Sequence, residues 1–126
     1  MDLPGKKRAS WTADGVYIDR SLGQAARRCA LAHEIVHIER GPVPDSPRLA
    51  EIEERIVSTL AARRLITLQS LERALMWSRP TNEVELAEEL WVDIHTLRIR
   101  LRTLTSEEHS ALDIAVRESW PWHCDT

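Results

Sequence analysis

The sequence contains no phenylalanine, a single tyrosine, four glycines and two cysteines in 126 residues. Without Phe, the core must be built from Leu, Ile, Val and Ala, with five tryptophans as the large aromatic anchors. Cys29 and Cys124 make no ligand-like pair, and two free thiols fit a reducing cytoplasm. No apolar run is long enough to cross a bilayer, so no membrane partner is expected. Lys6, Lys7 and Arg8 are not followed by the apolar stretch of a secretory signal. The net charge of −3 gives no general electrostatic reason to bind nucleic acid. Internal repeats and low-complexity segments are missing as well. What remains is one compact domain, or a small domain with an appended subdomain.

The residues that are present punctuate the chain clearly. Arg8–Thr12 and Val16–Asp19 alternate like short strands around Ala13-Asp14-Gly15, a hairpin turn signal. Ser21, with Gln24 three residues on, is expected to open a helix that stops at Gly41-Pro42. Ser46 and Pro47 fit the first positions of a second helix, running to about Leu65. A third helix follows Thr67 and ends near Pro80. Asn82 with Glu85 opens a fourth over Glu83–Leu90, Asp93 caps a fifth over Ile94–Leu104, and Thr105 with Glu108 caps a sixth to about Ser119. Trp120-Pro121-Trp122 is expected to clamp the tail to the core. The expected class is α+β, mostly α-helical, with a small N-terminal β-hairpin packed on the first helix pair.

The first helix carries His33-Glu34-Ile35-Val36-His37, an H-E-x-x-H motif. Residues i and i+4 lie on one face of a helix, so the two imidazoles point the same way, one turn apart. Two imidazoles at that spacing can bind one Zn²⁺, and Glu34 beside them can take a proton from the attacking water. The bland alternative is two helix histidines that need no metal. The motif's place on a well-defined helix, after a strand-like segment and before a break, weighs against that alternative.

The third ligand decides the subclass. A metzincin extension would need Gly at position 40 and His at position 43, where this chain has Arg40 and Val43. A carboxylate on the second helix is left, and Glu51, Glu53 and Glu54 all qualify. Periodicity does not choose among them: Glu53 sits nearest the centre of the stripe Leu49, Ile56, Leu60, and Glu54 toward its edge, beside Val57 and Ala61. Cys29, one turn before His33, reads as a small buried thiol.

The stretch Leu31–Gly41, followed by Glu54-Arg55-Ile56-Val57-Ser58-Thr59-Leu60-Ala61-Ala62-Arg63-Arg64-Leu65-Ile66, resembles the ImmA/IrrE family of metallopeptidases, in particular short members encoded by actinobacterial phages. The likeness extends over roughly residues 11–104. It implies Glu54 as third zinc ligand with His33 and His37, one Zn²⁺ per chain, and Glu34 as catalytic base. It further implies a DNA-binding repressor as protein substrate, a lysogeny or stress switch as the outcome of cleavage, and an activator protein as a candidate partner. Val57, Ser58 and Thr67 depart from the family's usual Ala, Asn or Asp, and Pro. The segment Val16, Tyr17, Ile18 is a candidate edge for an extended substrate peptide to pair with by strand addition.

A second signal lies in Glu85–Leu101, which has the pattern of a helix-turn-helix, with Ala87 in the first helix and Val92 after the turn. Trp91 stands where many such turns have Gly, a position Trp fills at a cost. Arg98, Arg100 and Arg102 on the second helix are candidate contacts to DNA or a partner. Glu83, Glu85, Glu88 and Glu89 oppose a phosphate backbone, which favours a structural or protein-recognition use. The expected organisation is a peptidase core over residues 1–67 and a helical, helix-turn-helix-like part over 68–126. The competing class is a DNA- or protein-binding regulator with a structural or vestigial metal site.

Overall fold

The structure, a computed structural model, describes residues 9–12, 15–18 and 23–119, with side-chain surroundings over 23–114. Six helices are formed among them: α1 Gln24–Arg40, α2 Pro47–Leu65, α3 Leu68–Arg73, α4 Glu83–Leu90, α5 Ile94–Arg102 and α6 Ser106–Ser119. By contact the chain divides into two compact units, Met1–Leu65 and Ile66–Thr126.

The expected α+β class does not stand. Among the described residues the fold is helical, and the N-terminal β-hairpin is not shown. Backbone at Ala9–Thr12 and Gly15–Ile18 runs as two antiparallel four-residue segments. Residues 13 and 14, which would make a hairpin of them, lie outside the described residues. Two strands of that length are too short to form a stable layer by themselves, so the class is set by the helices.

In the first unit α1 packs across α2: residue 33 meets 54 and 58, 37 meets 54, 40 meets 53 and 39 meets 64. Gly41 allows the turn away from α1. Its φ of 97° suits a residue without Cβ, and its N–H donates to the His37 carbonyl at 3.0 Å. The start of α1 differs from expectation. The helix begins at Gln24 with Gly23 as an N-cap that makes no side-chain hydrogen bond, and Ser21 lies outside the described residues. The packing face is made of small residues: Val36, Val57 and Ala61 form the buried cluster, with Ala32 against it. Small side chains let the backbones approach closely, so a short carboxylate on α2 can reach imidazoles on α1. The stripe Leu49, Ile56, Leu60 is not that face; all three are exposed.

Polar residues organise the helix ends of the second unit. Thr67 Oγ1 accepts from Ser70 N at 3.1 Å, Asn82 Oδ1 from Glu85 N at 3.0 Å, and Asp93 Oδ1 from Thr96 N at 2.8 Å. At α6 the Thr105 hydroxyl accepts from Glu108 N at 3.1 Å and the Glu108 carboxylate accepts from Thr105 N at 3.0 Å, a full capping box. Glu85 departs from that box, since its carboxylate accepts from the Thr81 N–H and hydroxyl instead. After α3 the chain makes one π-helical turn, Ala74–Ser78, and leaves it through Arg79 at φ 43°. α5 ends at Arg102, two residues before expectation, because the Thr103 hydroxyl donates to the Ile99 carbonyl at 2.7 Å and closes the helix.

Trp91 takes the left-handed position, with φ 60° and ψ 44°. Its N–H donates to the Glu88 carbonyl at 3.1 Å and the Val92 N–H to the Ala87 carbonyl at 3.0 Å, the paired bonds of a Schellman motif. Leu86, Ala87 and Val92 are buried beneath it. The helix is thus terminated in the regular way, and the strain rests on a residue that has a Cβ.

Candidate metal centre

Glu54, Ser58 and Ala61 recur one turn apart on α2, and His33 and His37 one turn apart on α1. Packing through Val36, Val57 and Ala61 brings the two faces together. The carboxylate of Glu54 then bridges the imidazoles: Oε1 lies 2.8 Å from His37 Nε2 and Oε2 lies 3.1 Å from His33 Nε2. The rings meet edge to face, with centroids 4.8 Å apart. Their donor atoms and the carboxylate all lie within 4.8 Å of one another.

The other two acidic candidates are engaged elsewhere. Glu53 forms a two-pronged pair with Arg40, at 2.5 and 2.9 Å. That guanidinium, chiefly through its hydrogen bond, holds the Glu53 carboxyl below the usual carboxylate range. Glu51 pairs with Arg55 one turn on, at 3.1 Å. Cys29 is buried and stands outside the donor group. Glu34 follows His33 on α1, half-buried, and is not one of the donors.

Exposure grades across the group. The His37 side chain is 7% exposed, His33 28% and Glu54 50%. The site therefore has a closed inner edge and an open outer one. Its far sides are unequal. His33 Nδ1 lies 3.5 Å from Ser58 Oγ, whereas His37 Nδ1 is the one buried side-chain N or O atom without a partner among the described residues.

The residues present fit a zinc ion. Donors bound at about 2.0–2.1 Å to one tetrahedral ion stand roughly 3.3 Å apart. The two Glu54–imidazole distances, 2.8 and 3.1 Å, are slightly shorter, and the widest separation in the group is within 4.8 Å, so the side chains would have to readjust around an ion. Two imidazoles and one carboxylate are the donors of a three-ligand zinc site, and among the described residues no fourth side chain joins them.

The arginines expected to contact DNA are placed differently from one another. Arg100 is buried, at 1% exposure. Its Nε donates to the Ile66 carbonyl at 2.7 Å, and its terminal nitrogens donate to Glu108 at 2.8 and 3.3 Å. Arg100 is thus a structural residue of the second unit, and its assignment as a nucleic-acid contact is corrected: the aliphatic face of α5 turns it inward. Arg98 is exposed and held in a two-pronged pair by Glu83. Arg102 is exposed, with Nε donating to the Arg98 carbonyl at 3.3 Å. For Val16, Tyr17 and Ile18 the side chains lie outside the described residues.

Sequence reasoning missed the Arg40–Glu53 pair and the burial of Arg100. The first had a signal in the Ile38-Glu39-Arg40 end of α1 facing an acidic run on α2. The second had its signal in the 3.6-residue repeat, which puts Arg100 one turn after the buried Thr96.

No family model matches the chain, and neither a curated protein nor a solved structure matches it. Among the described residues no helix is long and apolar enough to cross a membrane.

Proposed function

We propose that this chain is a zinc-dependent endopeptidase of the ImmA/IrrE type, acting in a bacterial cytoplasm on a DNA-binding repressor of a phage or mobile element. One observation carries the reading: His33, His37 and Glu54, drawn from two helices, converge their donor atoms within 4.8 Å on a face that is open at one side. A zinc ion in such a site polarises a scissile carbonyl and makes a water nucleophilic near neutral pH. The chain's own residues do the rest. His33, His37 and Glu54 hold the site. Glu34, next to His33, accepts the proton of the attacking water and returns it to the leaving amine. The exposed edge at Glu54 admits a polypeptide.

A DNA-binding reading has less support. Residues 66–126 carry six arginines against eleven Asp and Glu. Arg100 is buried and Arg98 already faces a carboxylate, whereas phosphate binding needs free cations.

The test combines metal analysis with cleavage. Wild type and Glu34→Gln are purified without chelator and incubated with the repressor encoded beside the gene, and new termini are sought by mass spectrometry. Both proteins should carry one zinc per chain, and only the wild type should cut. A chain purified without zinc that also fails to take it up overturns the metal site. Cutting by Glu34→Gln overturns the role of that residue.

A further inference from the structure

Among the described residues, the first unit holds more uncovered large apolar side chains than the second. On α1 they are Leu31, Ile35 and Ile38. On α2 they are Leu49, Ile52, Ile56 and Leu60. Each is between 37 and 52% exposed. Spacings of three and four residues make one stripe on each helix.

The metal centre fixes which way the stripes face. Two residues advance an α-helix by about 200°. Ile35 lies two residues from both His33 and His37, and Ile52 and Ile56 lie two residues before and after Glu54. Both stripes therefore point away from the cluster that these three residues form. The helices touch through Val36, Val57 and Ala61, between the two sides. The stripes thus share the flank opposite the metal centre and make one apolar surface two helices wide.

Seven such side chains present on the order of 500 Å² of apolar surface, near the top of what a monomeric protein leaves uncovered. Laid against an identical surface, they would bury about 1,000 Å² in total, the least that a specific interface needs. Charge selects the same occupant. Beside the contact between the helices, Glu39 pairs with Arg64 at 2.7 and 3.0 Å, and Glu53 pairs with Arg40 at 2.5 and 2.9 Å. A border neutralised within the chain does not repel an identical copy, and it offers no excess of one sign to a partner of the other.

We propose that this flank joins two copies of the chain in an isologous dimer, with α1 and α2 of one copy laid against α1 and α2 of the other as four helices. The metal centres lie on the outer flanks, where Glu54 is half exposed.

The experiment measures the mass of the full chain by sedimentation equilibrium, without added metal, for wild type, Ile56→Glu, Leu49→Glu and Trp77→Ser. Wild type should weigh twice the 14.5 kDa of one chain at micromolar concentration and divide on dilution. Ile56→Glu puts a carboxylate into the contact and should weaken association by roughly 100-fold or more, with the helical circular dichroism unchanged. Trp77→Ser removes the most exposed apolar side chain of the second unit and should leave the dimer as it is. A wild type that is monomeric throughout overturns the inference, as does one that stays monomeric and instead binds the repressor through Ile56. A dimer that survives Ile56→Glu, or that Trp77→Ser dissolves, overturns it too, because the contact then lies elsewhere. Where Ile56→Glu does not fold, Leu49→Glu, at the most exposed of the seven positions, decides in its place. The readout involves no metal, so a chain that never takes up zinc overturns the function proposed above and leaves the dimer standing.

Discussion

The two units of this chain differ in one use of polar side chains, although both carry satisfied ion pairs such as Arg40–Glu53 and Arg98–Glu83. In the second unit they end helices and seal the core, each engaged with a defined partner: Thr67, Asn82, Asp93 and Thr105 cap, and Arg100 spends its donors on Ile66 and Glu108. In the first unit three polar side chains converge on one another across a helix pair, and one of them keeps an unpartnered nitrogen. Groups that build structure are satisfied. The groups of the proposed site retain capacity for a ligand, and they sit in the unit that lacks side-chain caps at the start of its first helix. The lesson is that the density of internal hydrogen bonds locates the scaffold, and its local shortage locates the site.

Five measurements can break or sharpen this contrast. The largest effect belongs to the first unit: Glu34→Gln should lower the cleavage rate by roughly 10²–10⁴-fold with zinc content unchanged, checked by repressor cleavage and metal analysis. Next comes Arg100→Met in the second unit. It strands the Glu108 carboxylate and the Ile66 carbonyl, and should destabilise that unit by about 3 kcal/mol or more. Hydrogen exchange should show the loss over residues 66–114 with zinc affinity preserved. An Arg100→Met chain as stable as wild type would remove the claim that the second unit rests on satisfied polar groups. Third, zinc at a hundred times its dissociation constant should stabilise the first unit by about 2.7 kcal/mol. Chelator should reverse the gain, and exchange rates in the second unit should stay put. Fourth, Trp91→Gly relieves the left-handed backbone, so the second unit should gain up to about 1 kcal/mol, read as a higher melting temperature.

The smallest effect is one of pH. Glu83 is held below the usual carboxylate range by its hydrogen bond from Arg98, and Glu85 by those from the Thr81 N–H and hydroxyl. Groups with lowered values contribute their stability above the ordinary carboxylate value and lose it as pH falls through the lowered one. Amide protection at the start of α4 should therefore be constant near neutrality and decline below the usual carboxylate range. The decline should be slight, because both carboxylates face solvent. Protection that fell between pH 8 and 6 instead would assign the effect to another group.

Much of the second unit could be read ahead of the structure, because capping is local chemistry. Asn82, Asp93 and Thr105 each announce a helix within three residues of their own position, and the chain starts helices there. The stop at Gly41 is local in the same sense. What escaped depends on which helix faces are buried, a tertiary property. The most apolar stripe of α2, Leu49–Ile56–Leu60, pointed toward Glu53, yet the helices pack through the smaller Val57 and Ala61. Hydrophobicity ranks faces by transfer energy, and close approach of two backbones ranks them by size. Arg100 escaped for a related reason, since an arginine is expected outside until its partners are known. The N-terminal hairpin rests on alternation and the Ala13-Asp14-Gly15 turn signal, and alternation over four residues is a weak signal next to six helices.

The bridge that Glu54 makes between His33 and His37 has a consequence for the order of events. A zinc finger is unfolded until its ion arrives, so its ion and its fold are lost together. Here the three side chains are already preorganised by hydrogen bonds to one another, on helices packed through their own apolar face. If the site takes zinc as proposed, the chain would fold first and be metalated second. On the proposed reading, an ion entering the site would exchange two hydrogen bonds for coordination. Starving such a protein of zinc would silence it without denaturing it, and resupply would revive the same molecules.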